Sequence, residues 1–145
     1  MEFIELLSDL GNRYIVNLGI PVGDETVSFI DTSSNELAAQ LEGGPDMTGV
    51  NFAAGKAFVV SATSGFLYVY NMATLKPAGR IKIGDQLQLE TATTDTADRT
   101  LYLASSTDNS VYVIDAQTES VRRVADVGLY PWGTHIMDSR DNYCH

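Results

Sequence analysis

The feature that most restricts this chain is a repeat carried by two independent markers. An alternating β-branched and aromatic run ends in Asp31, Asn71 and Asp115, and each is followed by a small polar turn and a second run, in SFIDTSSNEL, VYNMATLKPA and VIDAQTESVR. These turn residues lie 40 and then 44 positions apart, and the glycines that close the following run, Gly44, Gly84 and Gly128, keep the same uneven spacing. Within each unit, two-residue alternation and turn chemistry place four strands. The first unit predicts Ile4–Ser8, Arg13–Leu18, Thr26–Ile30 and Glu36–Leu41; the second predicts Gly49–Ala53, Lys56–Ala62, Phe66–Tyr70 and Ala78–Ile83. The third, which contains the best-formed stretch from Thr100 to Val124, predicts Leu89–Thr93, Thr100–Ser105, Ser110–Ile114 and Ser120–Asp126. Thr107-Asp108-Asn109 and Ser64-Gly65 supply residues that tolerate positive φ, and Asp31, Asn71 and Asp115 can fold a side-chain oxygen onto N–H groups two residues on.

Four strands repeating at this length are what a β-propeller blade requires, whereas helical repeats of similar length would space apolar residues by 3.6. The expected fold is therefore all-β, a single propeller segment over 1–145, with blades of four antiparallel strands at approximately 1–44, 45–84 and 85–128 and a partial blade at 129–145. In the partial blade Gly133–Met137 reads as a first strand and Asn142–His145 as the start of a second. Such an arc leaves an apolar sheet face at each end. About six large side chains exposed per face, at roughly 1.5–3 kcal/mol each, would cost on the order of 10 kcal/mol, comparable with the stability of a whole domain. Self-association or further blades are expected to cover those faces.

Nine Lys and Arg against nineteen Asp and Glu give a formal net charge of −10. That charge repels phosphate backbones and anionic lipid, so nucleic acid is not an expected partner. The longest apolar runs are strand-length, well short of the roughly 20 residues of a membrane-spanning helix, and no membrane span is expected. The N-terminal MEFIELLSDL is acidic where an export signal is basic, so no signal peptide is read and the compartment stays open. The one cysteine, Cys144, excludes an internal disulfide.

The units resemble the YVTN-type β-propeller repeat family, whose pattern runs approximately S-P-D-G-x-x-L-Y-V-A-N, a short loop, then V-x-V-I-D-T-x-T-x-x-V. Ser8-Asp9-Leu10-Gly11-Asn12-Arg13-Tyr14-Ile15-Val16-Asn17 is similar to the first half. Asp98-Arg99-Thr100-Leu101-Tyr102-Leu103-Ala104-Ser105 with Ser110-Val111-Tyr112-Val113-Ile114-Asp115-Ala116-Gln117-Thr118 is similar to both. Pro131-Trp132-Gly133 resembles the family's P-x-G approach to an innermost strand. The middle unit departs, with Ala53-Ala54-Gly55-Lys56 at the turn and Asn71 for the aspartate. The resemblance implies a bacterial, commonly exported propeller. It spans binding scaffolds, lactonase-like proteins, quinoprotein dehydrogenase heavy chains and haem d1 domains, and so implies a fold rather than an activity.

Candidate site residues follow from where a propeller gathers its inner strands. A closed ring would collect Asp46, Asp85, Glu90, Tyr130, Trp132 and His135 near one mouth, and carboxylates beside aromatics suit a cation, an amine or a cationic peptide. The same residues also read as ordinary loop residues with one half-buried histidine. The loop Leu18–Glu25, with its apolar Ile20-Pro21-Val22 tip, is a second candidate contact surface. Cys144-His145 ends like a c-type haem attachment motif, but the motif's other cysteine falls at Asp141, and a metal site would need more thiol or imidazole ligands than His135 supplies. No cofactor is expected. Asp95, Asp98, Asp138 and Asp141 recur at turns; a calcium cage needs about six oxygens, and turn formation accounts for them. With no G-x-S-x-G elbow, no phosphate loop and two histidines, no catalytic residues are assigned. The expected function is a binding scaffold for a protein or small ligand, used through the channel mouth and loops. The alternative is part of a propeller enzyme, of quinoprotein, haem d1 or lactonase-like type, whose active residues lie outside this chain.

Overall fold

The alternation seen in the sequence becomes twelve strands in three sheets. The computed structural model describes residues 3–6, 14–19 and 25–137, and every regular element among them is a β-strand. The first sheet holds β1 (Phe3–Leu6), β2 (Tyr14–Leu18), β3 (Thr26–Asp31) and β4 (Glu36–Glu42). The second holds β5 (Met47–Ala53), β6 (Lys56–Ser61), β7 (Phe66–Asn71) and β8 (Lys76–Lys82); the third holds β9 (Leu89–Thr94), β10 (Thr100–Ser105), β11 (Ser110–Asp115) and β12 (Val121–Val124). Strands lie in chain order within each sheet and pair antiparallel throughout. Contacts between sheets run through the inner strands, β5 against β9 and β10, β6 against β9, and β5 against β1 and β2. The three sheets are therefore blades fanned about their innermost strands.

The uneven period of the sequence is repeated in the backbone. Asn35, Leu75 and Glu119, in the turns between the third and fourth strands, stand at φ 57°, 50° and 61°; Asp46, Gln86 and Tyr130, in the loops leading to the inner strands, stand at 50°, 54° and 55°. Both sets are spaced 40 and then 44 residues. The turn residues act as their chemistry predicts: Asp31, Asn71 and Asp115 accept from the N–H of Ser33 (2.8 Å), Ala73 (2.9 Å) and Gln117 (2.9 Å). Gly65 sits at φ 75° and Asn109 at 52° in the two equivalent hairpins.

Each blade has a forward face, toward the next blade, and a backward face. The first apolar layer sets Val16, Leu18, Val27 and Phe29 of the first blade against Ala57, Val59, Tyr70 and Met72 of the second. The next sets Phe58, Val60, Leu67 and Val69 of the second blade against Leu101, Leu103, Ile114 and Ala116 of the third. Two-residue alternation produces this directly, since successive side chains of one strand go to opposite layers.

One expectation is corrected. Residues 131–136 follow the third blade without forming a strand, although Gly133–Met137 reads as one. A strand exists through the N–H and C=O groups of a neighbour, and none of the described strands pairs with this segment. Residues 20–24 of the loop Leu18–Glu25, together with Asp138, Asp141, the expected Asn142–His145 strand and the Cys144-His145 pair, lie outside the described residues.

Candidate functional site on the upper rim

The loops that lead into the inner strands share one edge of the fan with the turns after β6 and β10, and this edge is called the upper rim. Asp46 is fixed there twice. Its carbonyl accepts the Ala62 N–H at 2.8 Å, and its carboxylate accepts the Thr63 hydroxyl. Glu90, on β9, accepts the Ser106 hydroxyl at 2.6 Å. Asp85 pairs with Lys82 at 2.8 Å, with its side chain 82% exposed, so this pair is solvated and weak. The Tyr130 N–H donates to Asn109 Oδ1 at 2.9 Å, on the same turn whose first residue, Ser106, holds Glu90. The Tyr130 and Trp132 side chains both stand 69% exposed. Each of the three candidate carboxylates thus already has a partner, and the two aromatics, on the loop that follows the third blade, are exposed.

His135, expected half-buried at the same mouth, is exposed and lies further along the chain, at an open hollow of about 510 Å³ lined also by Asp95, Thr96, Tyr102, Thr134 and Ile136. This hollow is at the turn that ends β9. Burial raises the pKa of the Asp95 carboxyl, but the N–H groups of Arg99 and Thr100, at 2.8 and 3.1 Å, more than offset it and hold the group below its ordinary range. Sequence reading placed Asp95 correctly at a turn and Tyr102 on a strand, but not their meeting with residues 134–136. The available signal was the spacing between inner-chain positions of successive blades. Among the described residues, no group of three or more His, Cys, Asp or Glu side chains is placed to hold a metal ion. No helix of the described residues is long and apolar enough to cross a membrane.

A second groove, of about 420 Å³, lies between the second and third blades, lined by Ala54, Gly55, Ala97, Asp98, Arg99 and Gln117. Its neighbours are structural. The Ala54 N–H donates to the Asp98 carbonyl at 3.0 Å, and Lys56 Nζ reaches across to the Ala116 carbonyl at 3.1 Å and the Glu119 carboxylate at 2.6 Å.

No protein-family model matches the chain, and no curated protein matches it. Solved structures do. Hydrazine synthase from Kuenenia stuttgartiensis is similar at TM-score 0.73 and 17% identity, over 90% of this chain and 37% of that one. The dihydro-heme d1 dehydrogenase NirN, solved in complex with DHE, is similar at TM-score 0.64 and 17% identity, over 78% of this chain and 24% of that one. These likenesses establish the all-β, propeller-type fold. The chain spans well under half of either protein.

Proposed function

We propose that this chain is a propeller-type binding scaffold whose upper rim takes a cationic ligand, either a protein segment or a small molecule. The observation that carries the reading is a pair of exposed aromatics, Tyr130 and Trp132, on the loop equivalent to the two that bear Asp46 and Asp85, with Tyr130 at the same positive-φ position as Asp46 and Gln86. Aromatic faces and carboxylates attract a cation together, and the net charge of −10 draws cations to the surface at long range. Trp132 is the only tryptophan, so its fluorescence reports on the rim directly. Titration with tetramethylammonium and with an oligolysine peptide should shift that emission in a salt-sensitive way, and Asp85→Asn and Tyr130→Ala should weaken the response. A folded chain whose emission responds equally to cationic, neutral and anionic probes would sink the reading.

A second reading, as part of a propeller enzyme with active residues elsewhere, is favoured by one observation. Both similar structures named above are named for enzyme activities, and this chain spans only 37% and 24% of them. Sequencing the flanking coding region for further blades or a C-x-x-C-H motif decides it. The YVTN-type assignment rests on the motifs at Leu101–Ser105 and Ser110–Thr118 and belongs equally to both readings.

A further inference from the structure

The geometry points to the forward face of the third blade as a docking surface for a further four-stranded blade, with residues 133–137 as its innermost chain. Strand pairing fixes the equivalences. Tyr14, Lys56 and Thr100 pair with Asp31, Asn71 and Asp115, so Val16, Phe58 and Tyr102 are equivalent, as are Leu18, Val60 and Ala104. On the next strand Val27, Leu67 and Val111 correspond, and so do Phe29, Val69 and Val113. In the first and second blades all eight of these side chains are 0% exposed, because the following blade covers them. In the third blade Ala104 is buried as well, but Tyr102, Val111 and Val113 are only partly buried. Val124, which pairs with Val111 as Ile81 pairs with Leu67, is 36% exposed against 7% for Ile81.

The inner chain shows what belongs there. Asn51 and Thr93 are equivalent, pairing with Phe58 and Tyr102, and each donates a side-chain hydrogen bond to a carbonyl 41 residues on. Asn51 Nδ2 reaches the Ala92 carbonyl at 3.1 Å, and the Thr93 hydroxyl reaches the Thr134 carbonyl. Thr134 therefore stands to the third blade as Ala92 stands to the second. Its own hydroxyl donates back to the Tyr102 carbonyl at 2.6 Å. The segment already lies where an innermost strand lies, and it lacks only neighbours to pair with. His135 takes the register position of Asn51 and Thr93, the donors to a following blade.

The occupant is defined by the faces that cover the other two blades. These are apolar, with Tyr68, Tyr70 and Met72 on the second blade and Tyr112, Ile114 and Ala116 on the third. A second copy of this chain would bring the first blade, which has Ser28, Ile30 and Thr32 at those positions. Ser28 and Thr32 bring less apolar surface to the face than Tyr68 and Met72 or Tyr112 and Ala116 do, so that copy covers it less well. The partner is a blade with an apolar backward face, supplied from outside the described residues.

The test extends the chain with its own best blade in the same register, joining residues 1–137 to a second copy of 96–128. Hydrogen exchange of the β11 amides should slow about tenfold or more relative to the native chain, and Val113→Asp should abolish the gain. Unchanged β11 exchange in a folded extended chain would overturn the proposal, as would a native chain that light scattering shows to be a dimer with β11 already protected. If the extended chain does not fold, equivalent substitutions in the native chain still decide. Val69→Asp, under the third blade, should abolish cooperative unfolding, while Val113→Asp should leave Tm nearly unchanged. Equal damage from both would mean that the face is already covered, and would refute the docking surface.

Discussion

Tyr70 joins two blades by its ring and by its hydroxyl. The ring meets Phe29 of the preceding blade edge-on, with centroids 6.0 Å apart, and the hydroxyl donates to the Glu42 carbonyl at 2.7 Å. Burial pushes its pKa well above the ordinary tyrosine value. Replacing Tyr70 with Phe keeps the packing and removes the donor to Glu42, and urea denaturation should show a loss of about 1–2 kcal/mol. A stability unchanged within error would mean that water substitutes for the hydroxyl. Gly65 is constrained more tightly. At φ 75°, a Cβ there would sit 2.0 Å from the Gly84 carbonyl oxygen. Gly65→Ala should therefore cost about 2 kcal/mol or more, through backbone strain and a clash that no rotamer relieves, visible as a lowered Tm. That Tyr70 faces a core was legible from its alternation with Val69. Its partner, 28 residues earlier, was not, because that contact depends on how one sheet seats on another.

At the scale of the element, the third blade differs from the second in its acidic turns. Asp108 is partly buried, which raises its pKa, but the Tyr112 hydroxyl and the Arg123 guanidinium more than offset this and hold it low. The Arg123 contact is 3.0 Å and the Tyr112 contact 2.8 Å. Asp115 is held low first by the Thr118 N–H, and Asp95 by the N–H groups already described. Each folded-state pKa lies below the ordinary 3.8, so the folded blade binds these protons more weakly than the unfolded chain does. The stabilisation is present above that value and is lost as pH falls through the depressed pKa values. In hydrogen exchange followed from neutral pH downward, β10 and β11 should lose protection before β6 and β7, and Asp108→Asn should reduce that difference. Simultaneous loss in both blades would contradict the assignment.

The whole molecule carries ten excess negative charges on 145 residues, and its exposed pairs, such as Lys82 with Asp85, compensate little of that repulsion. Raising salt from about 0.02 M to about 0.5 M NaCl should screen the repulsion and raise Tm by a few degrees. A fall in Tm would show instead that local ion pairs such as Lys56 with Glu119 and Arg123 with Asp108 dominate. The fan arrangement explains why one open face matters at this scale. Among the described residues each blade is covered only by its immediate neighbours, so an uncovered apolar face is not shared out over a common core.

The sequence by itself determined the twelve strands of the three blades to within about two residues, the turns and the uneven 40 and 44 period, because these depend on short-range alternation and on side chains reaching two residues along the chain. From that period alone the all-β blade architecture followed. Only the tertiary structure decided which carboxylates were already engaged, that His135 lies beside Asp95 and Tyr102 instead of on the upper-rim loops, and that Gly133–Met137 is held in an inner-strand position without being a strand. All three depend on contacts between residues on separate strands, turns or blades, set by how sheets seat against one another. The pattern of a single strand does not encode that distance.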